Sequence, residues 1–356
     1  MRARGSLRRL HRTIPIILPT VALMVVAGAA ADRSEGAELP HVHLLATGGT
    51  ISGGPAGSLN AEGLLALIPE MSAVARVTME DVVTIGSSRM TPEIQFRVAA
   101  RVNALFAADP ALAGIVITHG TDTLEETAFL LDLLVASDRP VVFAAAQRPP
   151  RAKDTDGPRN LLNAIRVAAS PHAKGAGVLV TLNDEIHSAR TVRKTHSVAV
   201  EAFQSPGAGP VGFVDAGHVF LARKPVRRLI LDAKGVEPRV ELITLVAGSD
   251  GRLVKAAAAL GVKGLVVEVF GRGNVPPAVM DAVKDVRSEG VVVLFTTRTR
   301  GGRVEIDTDA KAMGVVSGED LDGLKARMLL VAALSFTQDP AVIQSYVDRV
   351  SGLAGE

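Results

Sequence analysis

The chain has 356 residues, 47% of them hydrophobic, so it is long enough to bury the cores of two domains of ordinary size. Its formal charge of +2 is close to neutral and gives no reason to expect nucleic-acid binding. Because the chain contains no cysteine, disulfides, thiolate catalysis and cysteine-ligated metal sites are excluded.

The first 31 residues have the composition of a secretory signal peptide. An apolar run from about Ile14 to Ala31 follows five arginines and ends in small residues. The alternative is an uncleaved membrane anchor, since the run is nearly long enough to span a bilayer. Pro15, Pro19 and the alanine-rich end favour cleavage near Asp32. We therefore expect a periplasmic or secreted protein with no second spanning segment and no stable membrane association after processing.

The rest of the chain alternates short apolar runs with helix-length amphipathic segments. Most of the apolar runs are continuous rather than alternating, as in strands that are covered on both faces. This order predicts an α/β fold with a mainly parallel sheet. The predicted strands are His43–Ala46, Val82–Ile85, Gly114–Thr118, Val141–Ala146, Val178–Leu182, Gly264–Val269 and Val291–Thr296.

Three helices are predicted between the strands of the first half. Thr91–Ala108 begins with a threonine cap followed by a proline, which suits the first helical position. Thr123–Ala136 carries Thr123 and Glu126 at the spacing of a capping box. The third predicted helix is Asn160–Ala169.

The same order predicts two α/β domains. Residues 32–221 are expected to form the larger, N-terminal domain, and residues 240–356 the smaller, C-terminal one. The basic, proline-containing segment 222–239 is expected to be a linker. Its "RKPVRR" stretch is better explained as solvated than as a binding patch for an acidic partner.

Two polar turns follow predicted strands of the first domain, where parallel sheets bind their ligands. The first, in "HLLATGGTISGG" (His43–Gly54), is rich in glycine and threonine. It matches neither the dinucleotide fingerprint nor the P-loop, and no lysine follows it, although its N–H groups could still bind an anion. As a nucleophile turn it places Thr50 just past the strand, among N–H groups able to stabilise an oxyanion.

A threonine hydroxyl needs a base to take its proton, and the first turn contains none. The second turn, in "VITHGTDTLEETAFLLDL" (Val116–Leu133), presents Thr121 and Asp122 directly before a helix. Asp122 and Thr123 could merely cap that helix, but capping does not explain the whole polar group. A lysine in a desolvated site can act as a general base, and Lys194 is a candidate that spacing alone does not single out.

The two threonine motifs, in this order and at this distance, resemble those of the bacterial L-asparaginase family, the secreted type more than the cytoplasmic one. The resemblance runs from about Val42 to Tyr346 and includes "IGSSRMTPE", "TDGPRNLLNA", "LNDEIHSARTVRKTH", "GRGN" and "LKARMLLVAAL". It implies an amidohydrolase that converts L-asparagine to L-aspartate and ammonia without a metal or organic cofactor. It also implies a homotetramer built from intimate dimers.

The resemblance implies roles for single residues. Thr50 matches the nucleophilic threonine that attacks the side-chain amide and forms an acyl-enzyme. Thr121, Asp122 and Lys194 match a second threonine with the aspartate and lysine that act with it, and the aspartate also binds the substrate's α-ammonium group. The implied substrate-binding residues are Ser87 and Ser88 at the α-carboxylate, Gly120 in the second motif, Ala146 at the amide end, and Asn274 and, more loosely aligned, Glu305 from a neighbouring subunit.

The lid that follows the nucleophile departs from the family's pattern. In the family, a tyrosine on this lid assists the first threonine. Here the segment Gly53–Pro69 is shorter and has no tyrosine, and Tyr346, the only one in the chain, lies near the C-terminus. Ser52 and Ser58 are conceivable substitutes, although neither matches the pattern. A shorter lid should exclude water less well and hold substrate less firmly.

Two arginines also depart from the pattern. Arg89 stands where the family usually has an acid, and Arg272 replaces a smaller polar residue. Either could favour a substrate with more negative charge, or simply form a surface ion pair.

Two other functions remain open: a related amidase acting on glutamine, D-asparagine or another small amide, and a weakly active amino-acid-binding relative. The histidines do not add a third. His41 and His43 would share one face of a strand, but a metal site needs more ligands, and an exposed N-terminal segment explains them better. His119 is structural in the family.

Overall fold

The protein is described here by a computed structural model that covers residues 38–53, 59–224 and 228–352. The predicted signal peptide and Ser58 lie outside these residues. Within them, no helix is both long and apolar enough to cross a membrane.

The strands of the described chain are β1 His41–Gly48, β2 Arg76–Ile85, β3 Leu112–Thr118, β4 Val141–Ala144, β5 Val178–Leu182, β6 Glu185–Ser188, β7 Arg193–Lys194, β8 Phe203–Gln204, β9 Gly212–Asp215, β10 His218–Leu221, β11 Val240–Thr244, β12 Gly264–Val269, β13 Val292–Thr297 and β14 Val316–Ser317. The helices are α1 Ala61–Leu65, α2 Pro92–Ala108, α3 Leu124–Leu134, α4 Gly157–Ala169, α5 Arg252–Ala259, α6 Pro277–Ser288, α7 Thr308–Ala312, α8 Gly323–Ala333 and α9 Pro340–Val350.

The prediction of two α/β domains with a mainly parallel sheet in the larger one is confirmed. The N-terminal sheet has eight strands in the order β10-β9-β6-β5-β4-β3-β1-β2, of which β2, β1, β3, β4 and β5 run parallel. The C-terminal domain has a separate parallel sheet in the order β11-β12-β13-β14. A short antiparallel ribbon of β7 and β8 stands apart from both sheets.

The strands are continuously apolar because both faces of the large sheet are covered. Successive side chains of a strand point to opposite faces. Leu45 on β1 lies in the core shared with α2, α3 and α8, whereas its neighbour Leu44 lies in the core under α4. Both side chains are fully buried. A third core fills the C-terminal domain around β12 and β13.

The helix starts are only partly as predicted. The threonine cap of α2 is confirmed, since Thr91 Oγ1 accepts the N–H of Ile94 at 3.4 Å. The prediction of a capping box at the start of α3 is wrong, because the Thr123 side chain does not cap the helix. Its hydroxyl instead donates to the carbonyl of Ser87 at 2.9 Å, so a tertiary bond replaces the local one.

Residues 228–231 of segment 222–239 lie against α3. Leu229 and Leu231 are buried, and the N–H of Leu231 donates to the carbonyl of Leu133 at 2.8 Å. Arg228 pairs with Asp132 at 3.1 Å, half-buried, so this arginine of the basic stretch is an internal contact rather than a solvated charge. Near the end of the chain, α8 packs against both α3 and the C-terminal sheet, which ties the two domains together.

Candidate active site

The turns after β1 and β3 pack against each other at the carboxyl edge of the large sheet. The two strands are parallel neighbours, so both turns emerge on the same side. Gly49 has a φ of 90°, and a Cβ at this position would lie 2.4 Å from the backbone nitrogen of Gly120. Only glycine allows this contact between two backbones, and the contact fixes the turn of Thr50 beside the turn of Thr121.

The two threonines of the first turn differ in the hydrogen bonds that their hydroxyls make within the described residues. Thr47 is buried, and its Oγ1 donates to the carbonyl of Thr118 at 2.6 Å. Thr50 begins a short helical turn, Thr50–Ser52, where it is half-buried. No hydrogen bond joins its hydroxyl to another side chain or backbone group of the described residues.

Lys194 reaches the second turn from the β7–β8 ribbon. Its Nζ donates to Thr121 Oγ1 at 2.7 Å and lies 3.3 Å from Asp122 Oδ1. Thr121 is 6% exposed, and the lysine side chain is 18% exposed. The shielded 2.7 Å contact is a direct path for a proton between the amine and the hydroxyl.

Ser87 links the loop after β2 to the second turn. Its Oγ accepts the backbone N–H of Asp122 at 3.1 Å and donates to Asp122 Oδ2 at 3.3 Å. Gly120 is needed for this approach, because a Cβ there would lie 2.5 Å from Ser87 Oγ. Ser88 is exposed beside it. The structure thus brings Ser87, Gly120 and Asp122 together, and their role in substrate binding stays a prediction.

Ala146 lies beside the first turn. It is fully buried, and a Cβ built on Gly157 would lie 3.5 Å from Ala146 Cβ and 3.3 Å from Ile51 Cγ1. Ala146 and Ile51, the residue after Thr50, therefore both lie next to Gly157 at the start of α4.

Asn274 and Glu305 belong to the C-terminal domain and are both exposed. No hydrogen bond or ion pair connects them to the two turns in the described chain. Arg272 pairs with Glu305 at 2.6 Å, and this guanidinium lowers the pKa of the Glu305 carboxyl. Arg272 therefore forms a surface ion pair, whereas Arg89 is exposed and has no such partner within the described residues.

The three histidines considered in the sequence, His119, His41 and His43, are buried or half-buried and hydrogen-bonded within the fold. His119 is fully buried, and burial lowers its pKa to about 4, so it is neutral near pH 7 and donates from Nδ1 to the carbonyl of Gly120 at 2.7 Å. The expectation that His41 and His43 lie in an exposed segment is wrong. Both are half-buried on β1, and each contacts Thr78 Oγ1, at 2.8 and 2.7 Å. In the described chain no three His, Asp or Glu side chains are grouped to hold a metal ion.

The hydroxyls considered in place of a lid tyrosine differ in environment. Ser52 is fully buried two residues after Thr50, and its Oγ has no hydrogen-bond partner among the described residues. Tyr346 packs on α9 with its ring 6.3 Å from that of Phe336. Ser58 lies outside the described residues.

Sequence reasoning missed the charged residues behind Lys194. Glu125, Asp322 and Lys325 meet there, between α3, α8 and β7. A local signal existed, since Lys325 is a lysine within the largely apolar stretch "LKARMLLVAAL". A charge on the buried face of a helix usually has a specific partner.

Both halves of the chain match known protein-family models. Residues 41–227 match the N-terminal asparaginase domain, and residues 239–347 match the C-terminal domain of glutaminases and asparaginases. The chain belongs to the asparaginase family.

Several relatives are similar over nearly the whole chain. L-asparaginase 2 of Bacillus subtilis strain 168 is 39% identical, covering 90% of this chain and 89% of the relative. The probable periplasmic L-asparaginase of Haemophilus influenzae is 36% identical over 93% and 99%. The glutaminase-asparaginase of Pseudomonas fluorescens biotype A is 37% identical over 93% and 96%. The crystal structure of the probable cytoplasmic L-asparaginase from Campylobacter jejuni superposes with a TM-score of 0.82 at 35% identity, covering 87% of this chain and 99% of that one.

The contact between the two turns of this asparaginase-family protein should contribute to its stability, and a glycine substitution tests this. Gly49→Ala forces a Cβ against Gly120 at a positive φ, so we expect the free energy of unfolding to fall by about 1–3 kcal/mol. Gly235→Ala is the matched control, because a Cβ there meets nothing within 4 Å. Chemical denaturation should show little change for the control. Equal stability of the two variants would contradict the tight contact.

Proposed function

We propose that this protein hydrolyses L-asparagine to L-aspartate and ammonia, with Thr50 as the nucleophile. The observation that carries the proposal is the 2.7 Å contact of Lys194 Nζ with Thr121 Oγ1, in a turn held against that of Thr50. The contact supplies a base to a site whose nucleophile turn has none of its own. Family membership and the names of the relatives support the reaction class.

In the acylation step, Thr50 Oγ1 attacks the carboxamide carbon of the substrate. Backbone N–H groups of the glycine-rich turn would stabilise the oxyanion that forms. The proton of the hydroxyl passes through Thr121 and Lys194 to the leaving nitrogen. As the C–N bond breaks, ammonia leaves and an ester joins the aspartyl group to Thr50.

In the deacylation step, a water molecule takes the place of ammonia. Thr121 and Lys194 accept a proton from the water as its oxygen attacks the ester carbon. The bond to Thr50 then breaks, and the threonine oxygen regains a proton as L-aspartate is released. Every proposed bond change uses Thr50, Thr121 and Lys194, with no metal or organic cofactor in any step.

Substrate binding follows from the charges around the second turn. We propose that Asp122, whose side chain is 59% exposed, binds the α-ammonium group and that Ser87, with Ser88 beside it, receives the α-carboxylate. Gly120 leaves room between them, and Ala146 would line the amide end. We propose that Asn274 and Glu305 complete the site from a neighbouring subunit of a homotetramer, because within one described chain they contact neither turn.

L-glutamine is the second candidate substrate, since one relative carries the name glutaminase-asparaginase. We also propose that the protein is secreted or periplasmic, on the basis of its first 31 residues. The periplasmic relative from H. influenzae supports this location, although the similar C. jejuni structure is named as cytoplasmic.

Ammonia release by the purified mature protein tests the proposal. We expect the highest kcat/KM with L-asparagine among L-asparagine, L-glutamine, D-asparagine and a simple primary amide. A higher value for another amide would reassign the substrate. Binding of aspartate without ammonia release from any amide would show a binding protein instead, which the missing lid tyrosine makes worth testing.

A further inference from the structure

A cluster of buried charges lies behind Lys194, where α8 meets α3 and β7. Lys325 is 0% exposed, although its helix is otherwise largely apolar on the inside. Its Nζ lies 3.0 Å from Asp322 Oδ2 and 3.8 Å from Glu125 Oε2. An apolar residue would fill the same space without the cost of desolvating a charge, so packing alone does not explain the lysine.

Two contacts from this cluster hold the residues that lead to Lys194. Lys325 Nζ donates to the carbonyl of Val192 at 2.7 Å. Asp322 Oδ2 accepts from Nε of Arg193 at 2.9 Å. The backbone and side chain just before Lys194 are therefore anchored to α8, which belongs to the C-terminal domain.

A third interaction reaches Lys194 itself. The backbone N–H of Lys194 faces the Glu125 carboxylate and lowers the pKa of that carboxyl, against the larger, raising effect of burial. The next N–H, of Thr195, points the other way and donates to the carbonyl of Ala202 at 2.7 Å, as expected from the alternation along a strand. Because Glu125 stands in the first turn of α3, it connects the lysine directly to the element that follows Thr121.

The pKa values of the two carboxyl groups in the cluster depend on burial and on the neighbouring cations. Burial raises the pKa of Glu125. Burial alone would also raise the pKa of Asp322, but the neighbouring charges of Lys325 and Arg193 outweigh it and hold that pKa below its ordinary value. Loss of Lys325 would leave both carboxylates without their shared cation.

We propose that Lys325 and Glu125 are positioning residues that hold the backbone of Lys194, so that its Nζ stays within reach of Thr121. The inference rests on the proposed function, in which Lys194 moves the proton. A lysine has a flexible four-carbon stem, so its amine is held in place only if its backbone is fixed. Displacement of a catalytic group by about 1 Å can cost on the order of 100-fold in rate.

Lys325→Met and Arg327→Met form a matched pair that tests the proposal. Arg327 lies on the same helix, but it pairs with Glu126 at 3.6 Å and donates to the carbonyl of Val240, and within the described chain it makes no hydrogen bond or ion pair with β7. We expect Lys325→Met to lower kcat on the order of 100-fold with little change in KM. Arg327→Met should keep a kcat near that of the wild type.

Hydrogen exchange gives a readout that does not need activity. The amides of residues 190–196 should exchange faster in Lys325→Met than in Arg327→Met or the wild type. If the wild-type protein releases no ammonia, the proposed function fails, and this comparison still tests the anchoring. Unchanged kcat with unchanged exchange in Lys325→Met would overturn the inference, as would equal losses in both variants.

A second pair keeps the test decisive if Lys325→Met does not fold. Glu125→Ala removes the carboxylate that faces the N–H of Lys194 but leaves Lys325 paired with Asp322. Glu126→Ala is its control, since Glu126 is the adjacent carboxylate and pairs with Arg327 instead. Glu125→Ala should lower kcat and speed exchange of residues 190–196, and the control should do neither. Identical behaviour of the two variants would overturn the inference.

Discussion

Thr50→Ala is expected to lower kcat for ammonia release from L-asparagine by at least about 10⁴-fold, with the fold intact. The reason is that no acyl-enzyme can form without the hydroxyl. Within the described residues the Thr50 hydroxyl makes no hydrogen bond, whereas that of Thr47 is bonded to the carbonyl of Thr118. Steady-state assays of both proteins, with circular dichroism to check the fold, measure the effect.

Thr47→Val is the control for that substitution. It removes the neighbouring hydroxyl of the same turn and costs stability of about 1 kcal/mol, because the Thr118 carbonyl loses its donor. We expect its kcat to stay within about tenfold of the wild type. In the proposed reaction Thr47 takes no part in the bond changes, so its loss affects only the position of the turn. A Thr50→Ala variant as active as Thr47→Val would remove Thr50 from the mechanism.

Lys194→Met is expected to lower kcat by about 10²–10⁴-fold, the usual contribution of a general base. Its Nζ is the cation in direct contact with Thr121 in the described chain, at 2.7 Å. Lys174→Met is a matched control, because Lys174 also lies 3.3 Å from an aspartate, Asp138, but on the open surface. The same ammonia assay applies, and an unaffected rate for Lys194→Met would exclude the lysine as the base.

The fold was predictable wherever burial on both faces makes a strand continuously apolar. The bounds of β5 and β12 are those predicted, Val178–Leu182 and Gly264–Val269. By contrast, β2 begins at Arg76 rather than Val82, because it is an edge strand whose first residues are half-exposed and mix polar with apolar side chains. The cap of α3 was mispredicted because the hydroxyl of Thr123 bonds to the distant Ser87, which local spacing cannot show.

The part of the site that lies on turns after neighbouring parallel strands was predictable. Thr50 and Thr121 follow adjacent strands, so the rule for carboxyl ends of parallel sheets places their turns together. Lys194 lies 73 residues beyond Thr121, on a two-residue strand with no periodic signal, and only the family resemblance singled it out. The anchoring by Lys325 depends on the packing of α8 against α3, and no local pattern encodes a contact between elements so far apart. The domain bounds and the residue roles stay predictions.

Acid quenching during turnover of L-asparagine, followed by peptide mass spectrometry, tests the central claim most directly. The account predicts an aspartyl ester on the peptide that contains Thr50, and none on that peptide in Thr50→Ala. An ester on a different residue would contradict the account. So would rapid turnover of L-asparagine with no covalent adduct at any quench time.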